Sequence, residues 1–143
     1  MVRPFGGVGA TVFGGTGVSS NYTGFGAGGG VDFASHPFAF GLRADLSYLG
    51  AGQNQWVQVY TLDLRVFLAA EKWRWRPYVE GGIGGGGALH LAGSPGYAVG
   101  AGGGVVYEAP QGPAVFLDMR NITLGNMESS GPTMFMIRFG FMK

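Results

Sequence analysis

Between Phe38 and Tyr48 the chain alternates with a period of two. Phe38, Phe40, Leu42, Ala44, Leu46 and Tyr48 fall on one parity, and Ala39, Gly41, Arg43, Asp45 and Ser47 on the other. Successive side chains of a β-strand point to opposite faces, so this stretch reads as a strand with one apolar and one polar face. The same pattern returns from Trp56 to Leu68, where Tyr60, Leu62, Leu64, Val66 and Leu68 oppose Thr61, Asp63, Arg65 and Phe67. Helical spacing is hard to find. Eight such segments are predicted, at 3–13, 22–34, 38–48, 56–68, 76–90, 97–108, 114–122 and 133–142. Most have the length that a tilted strand needs to cross a bilayer.

The connections carry turn residues: Gly14–Gly15, Ser35–His36–Pro37, Gly50–Ala51–Gly52, Gly93–Ser94–Pro95–Gly96, Pro110–Gln111–Gly112–Pro113 and Gly131–Pro132. None is long, so neighbouring strands should pair as antiparallel hairpins. An even strand number lets the sheet close with both chain ends on one side. The expected fold is all-β, an eight-stranded antiparallel up-and-down barrel, with residues 1–143 as one domain.

Following parity through all eight segments sorts the charges. One face collects Arg3, Asp32, Arg43, Asp45, Asp63, Arg65, Arg76, Glu80, Glu108, Asp118, Arg120 and Arg138, six cations against six carboxylates. The other face collects Val8, Phe25, Val31, Phe33, Val79, Ile83, Val99, Leu117, Met119, Ile137 and Phe139 with the apolar sets above, and no charge. Two opposite barrels fit. A soluble one points the charged face into water; a membrane one points the uncharged face into lipid, where a mid-bilayer Arg or Lys costs about 2–4 kcal/mol.

Glycine separates them. The chain has 30 glycines, and the charged face includes Gly24, Gly26, Gly28, Gly30, Gly82, Gly84, Gly86, Gly100, Gly102 and Gly104. A water-exposed strand face built of Gly would be weak. Inside a narrow barrel Gly makes room for arginine and aromatic side chains. A sheet in lipid must also close, because every backbone polar group needs a partner there. The sequence therefore predicts a transmembrane β-barrel. Tyr48, Trp56, Tyr60 and Tyr97 near one end of their strands, and Trp73, Trp75, Tyr107 and Phe141 near the other, match the aromatic girdles of such barrels.

Composition removes other classes. Charged residues are 12% of the chain and aromatics 14%, unlike a disordered Gly-rich chain, and no G-X-Y period marks collagen. A net charge of +1 lacks the basic stripe of a nucleic-acid binder. With no Cys and two His, disulfides and Cys-based zinc sites are excluded, and no metal or other cofactor is expected. No apolar run is long enough for a transmembrane helix. Met1 leads straight into the first strand, which reads as a mature form with a start codon added.

Several segments resemble the OmpA-type outer-membrane β-barrel domain. They are RPYVEGGIGGG at 76–86, VGAGGGVVYEA at 99–109, FLDMRNITLG at 116–125 and the terminal FMIRFGFMK, whose alternating aromatics are similar to the strand by which such barrels are recognised for insertion. The resemblance spans the chain, though each motif alone is degenerate. It implies a monomeric barrel in the bacterial outer membrane of a Gram-negative cell, with both termini and short turns in the periplasm and loops facing outward. The chain ends on Met142–Lys143 rather than an aromatic, so either Phe141 takes that part or Lys143 is an addition. The family's peptidoglycan-binding domain is absent from this sequence, and the short outward connections weaken an adhesin reading.

The main candidate site is the lumen charge network of Asp32, Arg43, Asp63, Arg65, Glu80, Glu108, Asp118, Arg120 and Arg138. It reads as a structural ion-pair belt in preference to a proton or ion path, since eight-stranded barrels leave little free space. A second candidate is a rim site of His90, Ser47 and Asp45, with Ser94 in the next loop. Some small outer-membrane barrels modify lipid A with His and Ser, but a Ser nucleophile needs a base in hydrogen-bond reach and an acid to orient it, and no spacing here specifies that. The bland reading, polar rim residues, is preferred, and His36 beside Pro37 reads as a turn residue. Trp73, Arg74 and Trp75 within EKWRWRP (71–77) read as an interfacial anchor ahead of a specific lipid site. The glycine runs 28–30 and 84–87 lack the Lys-Ser/Thr and helix of a phosphate loop.

The expected function is structural and non-enzymatic: a small outer-membrane barrel that stabilises the envelope or serves as a subunit of a larger envelope assembly. The alternatives are a lipid A-modifying enzyme and a barrel that binds a ligand in an outward cavity. Expected partners are outer-membrane lipids, lipopolysaccharide and other envelope proteins, with no nucleic acid. Small residues on strands two, five and six suggest a dead-end cavity open to the outside, with His90 at its mouth, only partly filled by Phe13, Tyr22, Ile122 and Met134.

Overall fold

The computed structural model describes residues 2–14, 22–49, 55–88, 96–126 and 129–143. Eight strands follow one another: β1 Val2–Gly14, β2 Tyr22–Ser35, β3 Phe38–Leu49, β4 Gln55–Phe67, β5 Trp75–Ala88, β6 Gly96–Tyr107, β7 Ala114–Asn126 and β8 Ser129–Met142. Each pairs antiparallel with the next, and β8 pairs with β1 to close the barrel. Closure leaves no edge strand, so the ladder satisfies the backbone of every strand without water. Both chain ends share one rim with the turns β2–β3, β4–β5 and β6–β7; this is the terminal rim below.

The barrel is inside-out relative to a soluble protein. No charged side chain of a described strand points outward. Outward positions are uncharged and mostly apolar, with Val8 and Ile83 each 65% exposed and Phe40, Leu42, Leu62, Met119 and Phe139 exposed beside them. Inward positions hold the charges, and Arg120 is 0% exposed. Water would be a poor solvent for that exterior, whereas hydrocarbon suits it. The strands have 12 to 14 residues, enough to span a bilayer core and reach both headgroup layers. The barrel is a transmembrane one.

Aromatics mark the two ends of the apolar exterior. Near the loop rim Phe25, Tyr48 and Trp56 stack across three neighbouring strands, with ring centroids 5.6 Å and 5.0 Å apart. At the terminal rim Trp75 packs on Tyr107 at 4.7 Å. There the His36 ring donates to the Ala69 carbonyl at 3.0 Å, tying the β2–β3 turn to the β4–β5 connection.

The largest departure from the sequence reading is the last hairpin. Gly131–Pro132 lies inside β8 rather than in a turn, and β7 runs to Asn126. The ladder shifts register between Thr123 and Gly125, after which Gly125 faces Ser130. Pro132, which has no N–H to donate, thus falls in an irregularity of the ladder and does not end the strand.

Placing a charge on the exterior should be costly. Leu64→Arg is expected to cost about 2–4 kcal/mol of stability in a bilayer. Thr61→Ser keeps the lumen hydroxyl and should fold nearly as the parent does. Folding yields of the two variants in lipid vesicles check this, and equal yields would contradict the outward assignment of Leu64.

Candidate functional site: the lumen and its rims

Three layers fill the lumen above one rim cluster. Nearest the terminal mouth, Arg3 and Arg76 converge on Glu108; the Arg3 contact is 2.8 Å. Next comes an aromatic and apolar layer of Phe5, Phe67, Tyr78, Val106, Phe116 and Met142. Phe5 and Phe116 meet edge to face at 6.2 Å, as do Phe67 and Tyr78 at 5.9 Å. The charged belt follows. Beyond it lies a second apolar layer of Val57, Val59, Ala98, Ile122, Leu124, Met134 and Met136, each buried.

The belt brings together Asp32, Arg43, Asp45, Asp63, Arg65, Glu80, Asp118, Arg120 and Arg138. Glu80 on β5 is its hub, receiving Arg43 at 2.9 Å and Arg65 at 3.1 Å, with Arg120 at 4.0 Å. Arg43 also reaches Asp118 at 2.8 Å. Because β3 and β7 stand on opposite sides of the barrel, that bond crosses the lumen. Arg65 holds Asp32 at 2.5 Å. Arg120 Nη1 donates to Asp63 at 2.8 Å and Nη2 to Thr61 at 3.2 Å. Arg138 pairs with Asp45 and lies 3.4 Å from Asp118. Each belt residue is buried.

The aromatic layer is clamped by cations from both sides. Arg65 lies over the Tyr78 ring at 4.5 Å, and Arg43 over Phe5 at 5.4 Å. Arg76 covers Phe67 at 4.9 Å from the mouth side. A guanidinium that stacks on a ring while bonding carboxylates in its plane uses both its flat face and its edge.

The sequence grouped Glu108 with the network. The structure separates it: the Phe5 and Tyr78 layer stands between Glu108, with Arg3 and Arg76, and the belt. The cause is level rather than parity. Glu108 follows the last residue of β6 at the terminal rim, where its backbone N–H donates to the Arg74 carbonyl at 2.9 Å.

At the glycine level, the described side chains include a buried apolar layer where an outward cavity is expected. This second layer is built mainly by side chains from β4, β7 and β8, the first two of which flank the glycine-rich β5 and β6. A Cβ on Gly100 would stand 3.0 Å from Arg120 Nε and 3.3 Å from Ile122. Phe13 and Tyr22 belong to positions whose side chains are not described. Ser47 and Asp45 face the lumen, but Ser47 is 0% exposed and Asp45 is held by Arg138 and Arg43. His90 and Ser94 lie outside the described residues. Trp73, Arg74 and Trp75 are all exposed at the terminal rim, each Trp by 60%. Among the described residues no group of His, Cys, Asp and Glu is placed to hold a metal ion.

Several inward glycines leave no room for a Cβ, which would meet a neighbouring strand (Leu42 O at Gly30, Leu117 O at Gly104) or a belt carboxylate (Asp63 Oδ1 at Gly82) first. A Cβ on Gly30 would come within 2.9 Å of Phe5 Cζ, one on Gly82 within 2.8 Å of Arg120 Nη2, and one on Gly104 within 2.8 Å of Tyr78 Oη. Sequence parity locates these glycines on the charged face, but not the neighbours that crowd each one.

Comparison with known proteins adds the fold. No protein-family model matches the chain, and no curated protein sequence matches it. Solved structures do. The barrel is similar to Neisserial surface protein A (NspA), with a TM-score of 0.78 at 11% identity, covering 99% of this chain and 95% of that one. It is similar to the outer membrane enzyme PagL, with a TM-score of 0.65 at 15% identity, covering 98% and 97%. It also matches the N-terminal β-barrel domain of Pseudomonas aeruginosa OprF, with a TM-score of 0.57 at 15% identity, covering 99% and 97%. At these identities what is shared is the eight-stranded barrel.

Two substitution sets test the lumen. Arg120→Met should cost about 3–5 kcal/mol, since it strips Asp63 of its ion pair in a buried site. Adding Asp63→Asn should recover part of that loss, and denaturant unfolding of the two variants in lipid vesicles reads both. Gly104→Ala should cost about 1–3 kcal/mol by overpacking against Tyr78 and the β7 backbone. Outward Gly81→Ala meets only the Gly100 carbonyl at 3.7 Å and should be close to neutral.

Proposed function

We propose that this chain is a small integral β-barrel of the bacterial outer membrane, of the OmpA-like kind, with a structural role in the envelope or as a subunit of a larger envelope assembly. The observation that carries the reading is the closed lumen. A buried belt of ion pairs lies between two apolar layers, and its bonds join opposite walls. A path for solutes or protons would have to cross both layers, whose described side chains are apolar apart from the Tyr78 hydroxyl. What remains available is the barrel's exterior and its rims.

The outer membrane is supported by three concordant features: the barrel fold, which bacterial outer membranes use; the resemblance of segments 76–86, 99–109 and 116–125 to OmpA-type barrels; and the similarity to solved outer-membrane barrels. Its neighbours would be outer-membrane lipids, lipopolysaccharide and other envelope proteins. We read the chain as non-enzymatic. PagL is named an enzyme, but the shared fold carries no chemistry with it. In this chain Asp45 is bound to two guanidiniums and so is poorly suited to orient a catalytic histidine.

Two measurements test the proposal. The protein should extract with the outer membrane and migrate differently on a detergent gel before and after boiling. In planar bilayers the pure protein should give no steady, large single-channel conductance. Such conductance would overturn the plugged-lumen reading. Purification in mild detergent distinguishes the two structural roles, a lone barrel from a stable co-purifying assembly.

A further inference from the structure

Outside the belt, the cations of the described residues all lie at the terminal rim. Arg3, Lys72, Arg74, Arg76 and Lys143 stand there with only Glu71 and Glu108 as described carboxylates. Arg3 and Arg76 share Glu108, so that one carboxylate answers two guanidiniums. The rim is therefore left with five cationic side chains against two acidic ones, an excess of positive charge.

The β4–β5 connection displays this charge at a defined depth. The Trp73 N–H donates to the Ala70 carbonyl at 3.0 Å, and the Arg74 carbonyl accepts from Glu108 N–H at 2.9 Å. Trp75 leads into β5 on the outward parity, with its ring on Tyr107 at 4.7 Å. Trp73 and Trp75 are exposed, and Lys72 and Arg74 beside them are exposed too. Indole rings settle at the boundary of hydrocarbon and headgroups, which sets the two cations at phosphate level. Lys and Arg there attract net negative headgroups, and Arg offers a fork matched to phosphate oxygens.

We infer that the terminal rim around Lys72, Arg74, Trp73 and Trp75 is a binding site for the phosphate headgroup of an anionic phospholipid in the leaflet that meets the chain termini. The inference rests on the transmembrane reading above and adds lipid selectivity to it. The opposite girdle at Phe25, Tyr48 and Trp56 has aromatic rings and no described cation, so it should show no such preference.

Tryptophan quenching tests this in the whole chain folded into phosphatidylcholine vesicles containing a minor share of phosphatidylglycerol. The chain has 3 Trp, so Trp56→Phe leaves only Trp73 and Trp75 to report, while Trp73→Phe with Trp75→Phe leaves Trp56. Either lipid is supplied with brominated acyl chains at the same mole fraction. At low salt Trp73 and Trp75 should be quenched by brominated phosphatidylglycerol in excess of its mole fraction. Each effective cation contributes roughly fivefold to that local enrichment. Lys72→Gln with Arg74→Gln should bring the ratio of the two lipids close to one, and Trp56 should give that ratio throughout. Equal quenching by both lipids in the parent would overturn the headgroup site while leaving the barrel inserted. Quenching by neither would overturn the transmembrane reading itself. A preference abolished by inorganic phosphate at constant ionic strength would overturn the lipid as its source, making the rim a site for free phosphate.

Discussion

A charged group facing hydrocarbon has no solvent and no partner, and the architecture follows from that exclusion. Every charge on a described strand turns inward, so the lumen must accept guanidiniums and carboxylates in a space only eight strands wide. Such groups are tolerated in a dry interior only when paired. Pairing across a narrow barrel means that a cation on one wall meets an anion on another, as Arg43 on β3 meets Asp118 on β7. Putting charges inside for the sake of the exterior thus also cross-braces the barrel.

The same exclusion accounts for the glycines. An arginine extended into the lumen needs room beside it, and inward glycines on β2, β5 and β6 provide it. Gly82 and Gly100 both border Arg120, and Gly104 borders Tyr78. Glycine weakens a strand in isolation. Here the ladder is closed and each glycine strand lies between two others, so the loss in local preference is offset by packing that larger residues would forbid.

Parity was readable because lipid enforces it. Leu62 and Asp63 are adjacent in sequence, and a strand sends one to each solvent, so a period of two sorted faces and named the fold. Depth was not readable in the same way. Parity places Glu108 and Glu80 on one face alike, yet a ring layer separates them, because height along the barrel depends on strand stagger and on where β6 stops. How far the lumen is filled was not readable for a related reason. Counting small residues on β2, β5 and β6 samples three strands, while Val57, Val59, Ile122, Met134 and Met136 enter the lumen from β4, β7 and β8 between them. The Gly131–Pro132 pair carries a strong turn signature, and only the register of β7 against β8 reveals that it sits in a ladder irregularity.

The order of the lumen layers bears on where function can reside. An ionic belt open to water at either side would exchange partners with solvent and leak. Between the Phe5 layer and the Val57 layer it is buried, and low polarisability around it strengthens each pair once formed. The cations stacked on Phe5, Tyr78 and Phe67 bind the belt and rim to the aromatic layer, so that layer cannot slide independently of the charges. The barrel's remaining variables are the apolar outer wall and the two rims. The terminal rim alone among the described parts combines exposed aromatics with cations in excess of its carboxylates. Rigidity inside and chemical asymmetry outside therefore belong to one design: the belt fixes the wall, and the fixed wall holds the rim residues at the depth where headgroups lie.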